Sequence, residues 1–227
     1  MNVVVFASRK GGSGKSTLTA HLASVANKPS RPCLLIDADP QGSLTLWNRL
    51  RAGGGQGLDI KNGTRGVSEI ARAAKRDYDW ALIDTPPHVS ALVTDAIRCA
   101  TLVIIPARPT IFDLTAVRET IELCRQLRKP YAVVFNCAPA KRNEMDSPIV
   151  AQTRDGLAKY NIPIWSGQIT NRTSFSFALA SGEGAREFDA ESQAAAEMSA
   201  LWSAIEKSVK AIHGTYEGAR AMHRVAA

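Results

Sequence analysis

Long apolar runs are missing from this chain. No stretch approaches the ~18 residues that a membrane-crossing helix needs, so no transmembrane segment is expected. No basic segment precedes the short apolar run at the amino terminus, and no secretory signal is expected either. Cysteine is scarce, and Cys33, Cys99, Cys124 and Cys137 show neither C-x-x-C spacing nor an accompanying histidine pattern. Two lie in strand-like runs and two in helical ones, which reads as buried free thiols in a reducing cytoplasm. His21, His88, His213 and His223 have no ligand spacing among themselves, so a metal site built on imidazoles is not expected. Internal repeats and extended low-complexity tracts are absent as well.

What is present suits one α/β domain spanning residues 1–227 with a sizeable core. Hydrophobic residues make up 45% and charged residues 22%, ordinary for a globular protein. The formal charge of +7 is unevenly spread. Arg49, Arg51, Lys61, Arg65, Arg72, Lys75 and Arg76 face only Asp59 and Glu69, seven cations against two acids and a net +5 within 49–76. Such a run is either a solubilising surface or a patch for an anionic partner, nucleic acid first and acidic lipid second.

Residues 8–17 read Ser-Arg-Lys-Gly-Gly-Ser-Gly-Lys-Ser-Thr, between the apolar run Val3–Ala7 and a helical pattern that starts at Ser16. Strand, glycine-rich turn and helix in that order make a phosphate-binding loop. Gly11, Gly12 and Gly14 lack a Cβ, so backbone N–H groups can turn inward on phosphate oxygens, with the positive end of the helix behind them. Lys15 is placed to reach the β- and γ-phosphates, and Ser16 to ligate Mg²⁺. Arg9 stands where the ordinary G-x-x-x-x-G-K-[ST] pattern has glycine. The pattern that fits is K-G-G-x-G-K-[ST], with a second lysine, Lys10, inside the loop. Matching its six fixed positions by chance has odds of roughly one in ten thousand or worse.

Two further strand ends carry acids. The buried run Cys33–Ile36 ends in Asp37-Ala38-Asp39-Pro40-Gln41, and Tyr78–Ile83 ends in Asp84-Thr85-Pro86-Pro87. Carboxylates at the carboxyl ends of buried parallel strands sit where open α/β sheets bind ligands. Other elements follow from periodicity. Helices are expected to about Asn27, over Gly42–Arg51, over Val67–Arg76, along Leu114, Val117, Ile121 and Cys124, from Ser147-Pro148 to about Tyr160, and over 190–212. The tail from Gly214 is expected to fray. Strands are expected at the edge around Leu58–Ile60, at Leu102–Pro106, at Tyr131–Phe135, and at Ile162–Trp165, with a glycine-rich loop at 53–57.

The lysine-doubled loop, D-x-D-P-Q and ID-T-P-P, in that order, resemble the nucleotide motifs of the ParA/MinD superfamily of ATPases. The resemblance implies a mostly parallel central sheet flanked by helices, and a partition ATPase that uses ATP and Mg²⁺. It implies that Lys10, Gly11, Gly12, Ser13, Gly14, Lys15, Ser16 and Thr17 hold the nucleotide and that Asn136, at the end of a strand, contacts the base. Ser16, Asp37 and Asp84 would hold Mg²⁺, Asp39 would position the attacking water, and Thr85 would begin a loop that senses the γ-phosphate. Lys10 would reach across a homodimer closed by ATP. Ala107–Asp113 resembles a segment at the dimer face of small ParA proteins. Arg172, with Lys207, Lys210, Arg220 and Arg224, would contact nucleoid DNA without sequence preference, and a cargo-bound adaptor of ParB type would trigger hydrolysis. The chain opens on its first strand, so an amino-terminal helix-turn-helix extension is not expected. A MinD-like membrane cycle is disfavoured, because Tyr216, Met222 and Val225 make a poor membrane face and no stable membrane association follows. An iron–sulfur carrier lacks its paired cysteines. The cargo stays open: plasmid or chromosome, chemoreceptor array, or carboxysome.

Overall fold

A computed structural model describes residues 1–53, 57–88 and 90–225, with the side chains of 111–116 and 216–225 outside the description. Six strands form one sheet: β1 (Asn2–Phe6), β2 (Cys33–Asp37), β3 (Asp59–Asn62), β4 (Trp80–Asp84), β5 (Leu102–Ala107) and β6 (Tyr131–Phe135). Their order is β3-β2-β4-β1-β5-β6, and every neighbouring pair is parallel. Four of them are buried along their whole length or nearly so, which is why they read as continuous apolar runs rather than alternating ones.

The period of two sends alternate residues to two separate cores. Val4, Phe6, Leu35, Leu82 and Ile104 pack on one face beneath α1 (Lys15–Ala26), α2 (Ser43–Gly53) and the long carboxyl-terminal helix (Gln193–Val225). Val3, Val5, Ile36, Ile83 and Ile105 pack on the other. That face is covered by α3 (Ser68–Ala73), α4 (Ala91–Cys99), α5 (Ile111–Gln126) and α6 (Pro148–Ala158). The expected stripe Val117, Ile121, Cys124 is buried, whereas the side chain of Leu114 lies outside the described residues. Most of the glycine-rich loop, residues 54–56, lies outside them too.

Two short helices, α7 (Thr173–Ala180) and α8 (Ala185–Phe188), precede α9 (Gln193–Val225). Periodicity predicts no element between Arg172 and 190, and no helix at α4. At α4 the start signal was present, since Ser90 Oγ accepts from Val93 N. The strand expected at Ile162–Trp165 is reduced to a single parallel bridge between Val133 and Ile164. Cys33 and Cys124 are buried as expected, but Cys99 and Cys137 are half-buried, and Cys137 sits just past β6 rather than in a strand.

In α9, Met198, Leu201, Trp202, Ile205 and Val209 are all buried, and Trp202 meets Trp80 edge-on at 4.7 Å. The helix runs against the strand direction. Near its start Glu197 accepts from Thr170 N, and further along His213 Nε2 lies 2.7 Å from Asn2 Oδ1 at the opening of β1. Its first turns therefore stand at the carboxyl edge of the sheet and its later turns at the amino edge. Among the described residues no helix is long and apolar enough to cross a membrane.

Candidate functional site

The site is built where β1 hands over to α1. Ala7 N still bonds Ile104 O, so strand geometry persists to the loop. Gly12 (φ 70°) and Gly14 (φ 93°) then take left-handed backbone that suits glycine. A Cβ on Gly14 would lie 2.0 Å from the amide nitrogen of Asn136, a clash that also excludes any larger residue there. Helix α1 starts at Lys15, which is 6% exposed; its Nζ donates to Lys10 O at 3.4 Å. Burial lowers the Lys15 pKa, and the carboxylates of Asp84 and Asp39 oppose that shift. Lys10, by contrast, is exposed, while Ser13 is buried with its hydroxyl unpartnered.

Three carboxylates converge on the same edge. Strands β2 and β4 are neighbours in register, so Asp37 and Asp84 stand side by side. Asp37 Oδ2 accepts from Thr45 N (2.9 Å) and Thr45 Oγ1 (2.7 Å), while its Oδ1 is buried without a partner. Asp84 Oδ2 accepts from Ser16 Oγ at 2.5 Å, and its Oδ1 is likewise buried and unpartnered. Burial pushes Asp84 up to about 7; the Ser16 hydrogen bond and the Lys15 charge pull the other way, and Asp37 and Asp39 add repulsion. Asp39 is half-buried on the cleft wall, with Oδ1 accepting from Gln41 N.

Two orphaned buried carboxylate oxygens beside a hydroxyl fit a hard divalent cation. Among the described residues there is no group of three His, Cys, Asp or Glu that would enclose a metal. That combination suits Mg²⁺, which is held through one or two carboxylates with substrate phosphates and water completing its shell.

An open cleft of about 420 Å³ runs from the phosphate loop past Asp39 and Gln41 to a wall of Leu44, Trp47 and Leu179. Nothing in the sequence marks this wall as part of the site. Trp47 carried a helical signal without a direction, and Leu179 sits in a helix that was not anticipated. Asn136 is 3% exposed and absent from the cleft lining; its Nδ2 donates to Ser13 O at 2.8 Å, so the amide braces the loop from beneath. Thr85 is fully buried, and its hydroxyl donates to Phe6 O, tying the ends of β4 and β1 together.

The expected DNA contacts are dispersed. Arg172 Nη2 pairs with Glu197 Oε1 at 3.0 Å, and the same carboxylate accepts from Thr170 N. Lys207 and Lys210 are exposed on α9, with Lys210 about 20 Å along the helix from Glu197 at 1.5 Å per residue. Arg172 and these lysines thus do not form one compact patch. The side chains of Arg220 and Arg224 lie outside the described residues. The rival run is divided too: Arg49, Lys61, Arg65, Arg72, Lys75 and Arg76 are exposed, but Arg51 is 7% exposed and makes a bidentate pair with Glu187.

Comparison with known proteins gives concordant results. The family profile described as CobQ/CobB/MinD/ParA nucleotide binding domain matches residues 4–185. Protein ParA of Rhizobium radiobacter is 32% identical over 188 residues, covering 78% of this chain and 81% of that protein. Maintenance of carboxysome distribution protein A of Halothiobacillus neapolitanus is 24% identical over 196 residues, 84% and 89% of the two chains. The septum site-determining protein MinD of Pyrococcus horikoshii, solved with Mg-ADP, superposes with a TM-score of 0.73 at 20% identity, covering 93% and 98%. At that identity the likeness shows the fold alone, which is the same sheet-and-helix architecture.

Proposed function

Because this chain belongs to the CobQ/CobB/MinD/ParA nucleotide-binding family, as a ParA-family partition or positioning ATPase, we propose that it segregates DNA through an ATP-driven dimer cycle. The observation that carries the ATP step is the convergence, at one sheet edge, of the glycine loop, buried Lys15 and the unpartnered oxygens of Asp37 and Asp84; the likeness to Protein ParA supports the DNA step. N–H groups of residues 11–17 cradle the phosphates, and Lys15 exchanges Lys10 O for their oxygens. Ser16, Asp37 and Asp84 would hold Mg²⁺, which when bound would supply positive charge for phosphoryl transfer. Asp39 orients the attacking water. Lys10, exposed at the loop's outer side, reaches the phosphates of a second protomer and supplies a cation to the transition state, as an arginine finger does. The closed dimer then binds duplex DNA through phosphates, which carry no sequence information. A ParB-type adaptor on the cargo releases it through hydrolysis.

The test separates these steps. With a non-hydrolysable ATP analogue and Mg²⁺, the wild type should elute as a dimer and bind two unrelated duplexes equally in fluorescence anisotropy. Lys10→Ala should bind nucleotide yet remain monomeric. A normal dimer with normal turnover in that variant would leave Lys10 as a loop residue only. Indifference of the wild type to DNA in every nucleotide state would remove the DNA step.

The likeness to the carboxysome-distribution protein supports a second reading, in which the same cycle positions a protein assembly. Loss of plasmid or of chromosome at division in a deletion strain distinguishes them: one of the two rises under the first reading and neither under the second.

A further inference from the structure

The phosphate loop is fastened from outside through its carbonyl oxygens. Gly12 O accepts from Arg108 Nη2 at 2.6 Å, and Ser13 O accepts from Asn136 Nδ2 at 2.8 Å. Arg108 stands just past β5 and Asn136 just past β6, so each donor reaches the loop from a different strand end. A further tie runs nearby, from Arg9 Nη1 to Glu119 Oε2 of α5 at 2.5 Å.

In a trans peptide the C=O and the following N–H point in opposite directions. Holding Gly12 O outward therefore turns Ser13 N–H toward the inside of the loop, and holding Ser13 O does the same for Gly14 N–H. These are groups an anion needs. Glycine at 11, 12 and 14 leaves the peptide planes free to rotate, so the loop sequence alone does not choose that orientation. A donor from elsewhere must choose it.

We propose that Arg108 is a positioning residue of the nucleotide site: its guanidinium pins the Gly12–Ser13 peptide so that the loop's N–H groups face the phosphates before nucleotide arrives. The inference rests on the nucleotide reading given above and adds a residue that lies outside the three nucleotide motifs. Arg108 acts through Gly12, on the part of the cradle that ADP and ATP share. Its loss should therefore weaken both nucleotides alike, whereas a guanidinium that touched the γ-phosphate would matter for ATP alone.

The experiment is calorimetric titration of ADP, and of a non-hydrolysable ATP analogue, into wild type, Arg108→Met and Arg108→Lys. Methionine keeps an apolar stem without a donor. Arg108→Met should lose about tenfold in affinity for both nucleotides, the loss of one charge-assisted hydrogen bond. Arg108→Lys should recover part of that loss, and the thermal midpoint of nucleotide-free protein should stay within a degree or two in both variants. Unchanged affinity in Arg108→Met, or a loss confined to the ATP analogue, overturns the proposal. So does an affinity loss that appears equally in Arg108→Lys and follows a fall in the thermal midpoint. If wild type itself ignores ADP, the nucleotide reading falls and this proposal with it, a result distinct from wild-type binding that Arg108→Met retains in full.

Discussion

Acids at the carboxyl edge of the sheet and those on its flanks meet different partners. At the edge, Asp37 Oδ1, Asp84 Oδ1 and Ser13 Oγ are buried and unpartnered, and Lys15 is buried beside them. On the flanks, cations are consumed by the fold. Arg51 grips Glu187, Arg154 pairs with Asp146 and donates to Trp165 O, Arg172 pairs with Glu197, and Arg31 spans Asp79 and Glu206. A buried group without a partner costs stability. The flanks hold some too, among them Arg51 Nε, His21 Nε2 and Gln168 Oε1, but among the described residues only at the edge do two such carboxylate oxygens stand beside an open cleft. These pairs leave the formal +7 unchanged, because each takes one acid with one cation; they decide which cations carry it.

The contrast is sharpest at Lys15. Lys15→Ala should lower nucleotide affinity by roughly a thousandfold, since charge-assisted bonds to two phosphates go together. Nucleotide-free stability should not fall, because the variant also removes a buried cation. Calorimetry and thermal melting read the two effects separately; wild-type-like affinity would undo the nucleotide assignment, and a large drop in the melting midpoint would show Lys15 to be a structural cation.

Arg51→Ala is the mirror case. It strands Glu187, which is a quarter exposed, and removes the guanidinium 5.5 Å above the Trp47 ring. We expect a loss of about 2 kcal/mol in urea denaturation, below the range for fully buried pairs because water reaches the carboxylate. Under the proposed DNA step, the salt dependence of duplex binding should be untouched. A stable variant with weaker DNA binding would place Arg51 among the nucleic-acid contacts and break the division between the two regions.

The smallest effect is expected at the exposed lysines. Each of Lys207→Ala and Lys210→Ala should reduce the magnitude of the log–log salt slope of DNA binding by about 0.9 if it neutralises one phosphate. Folding stability should be unaltered. Arg172→Ala, by comparison, frees Glu197, so any loss of DNA affinity there must be separated from a change in stability. Slopes equal to wild type in both lysine variants would move the contact surface elsewhere, with the exposed members of the 49–76 run the next to substitute.

Much of this molecule was readable from local signals. Phosphate loop, acid-tipped strands and the α9 stripe are each contiguous or periodic, so backbone geometry alone converts the sequence into position. The family follows from the same stretches. What stayed illegible depends on groups far apart in the chain. Asn136 and Ser13 are 123 residues apart, Arg108 and Gly12 are 96, and Arg51 and Glu187 are 136. No spacing rule predicts which side chain a folded sheet will bring beneath which carbonyl.

The same limit explains the individual differences. Ile162–Trp165 has strand-like composition, yet it forms one bridge because β6 meets it at Ile164 alone. Helices α7 and α8 are too short for periodicity to declare; packing of α7 against α1 and α2, and of α8 against α1 and α9, fixes them. Sequence by itself determined where phosphate chemistry belongs, because glycine conformation and the strand–turn–helix order are local properties. Tertiary structure alone decided which charges are free and which are bonds. An arginine has the same composition in either role, and only the position of its partner tells them apart.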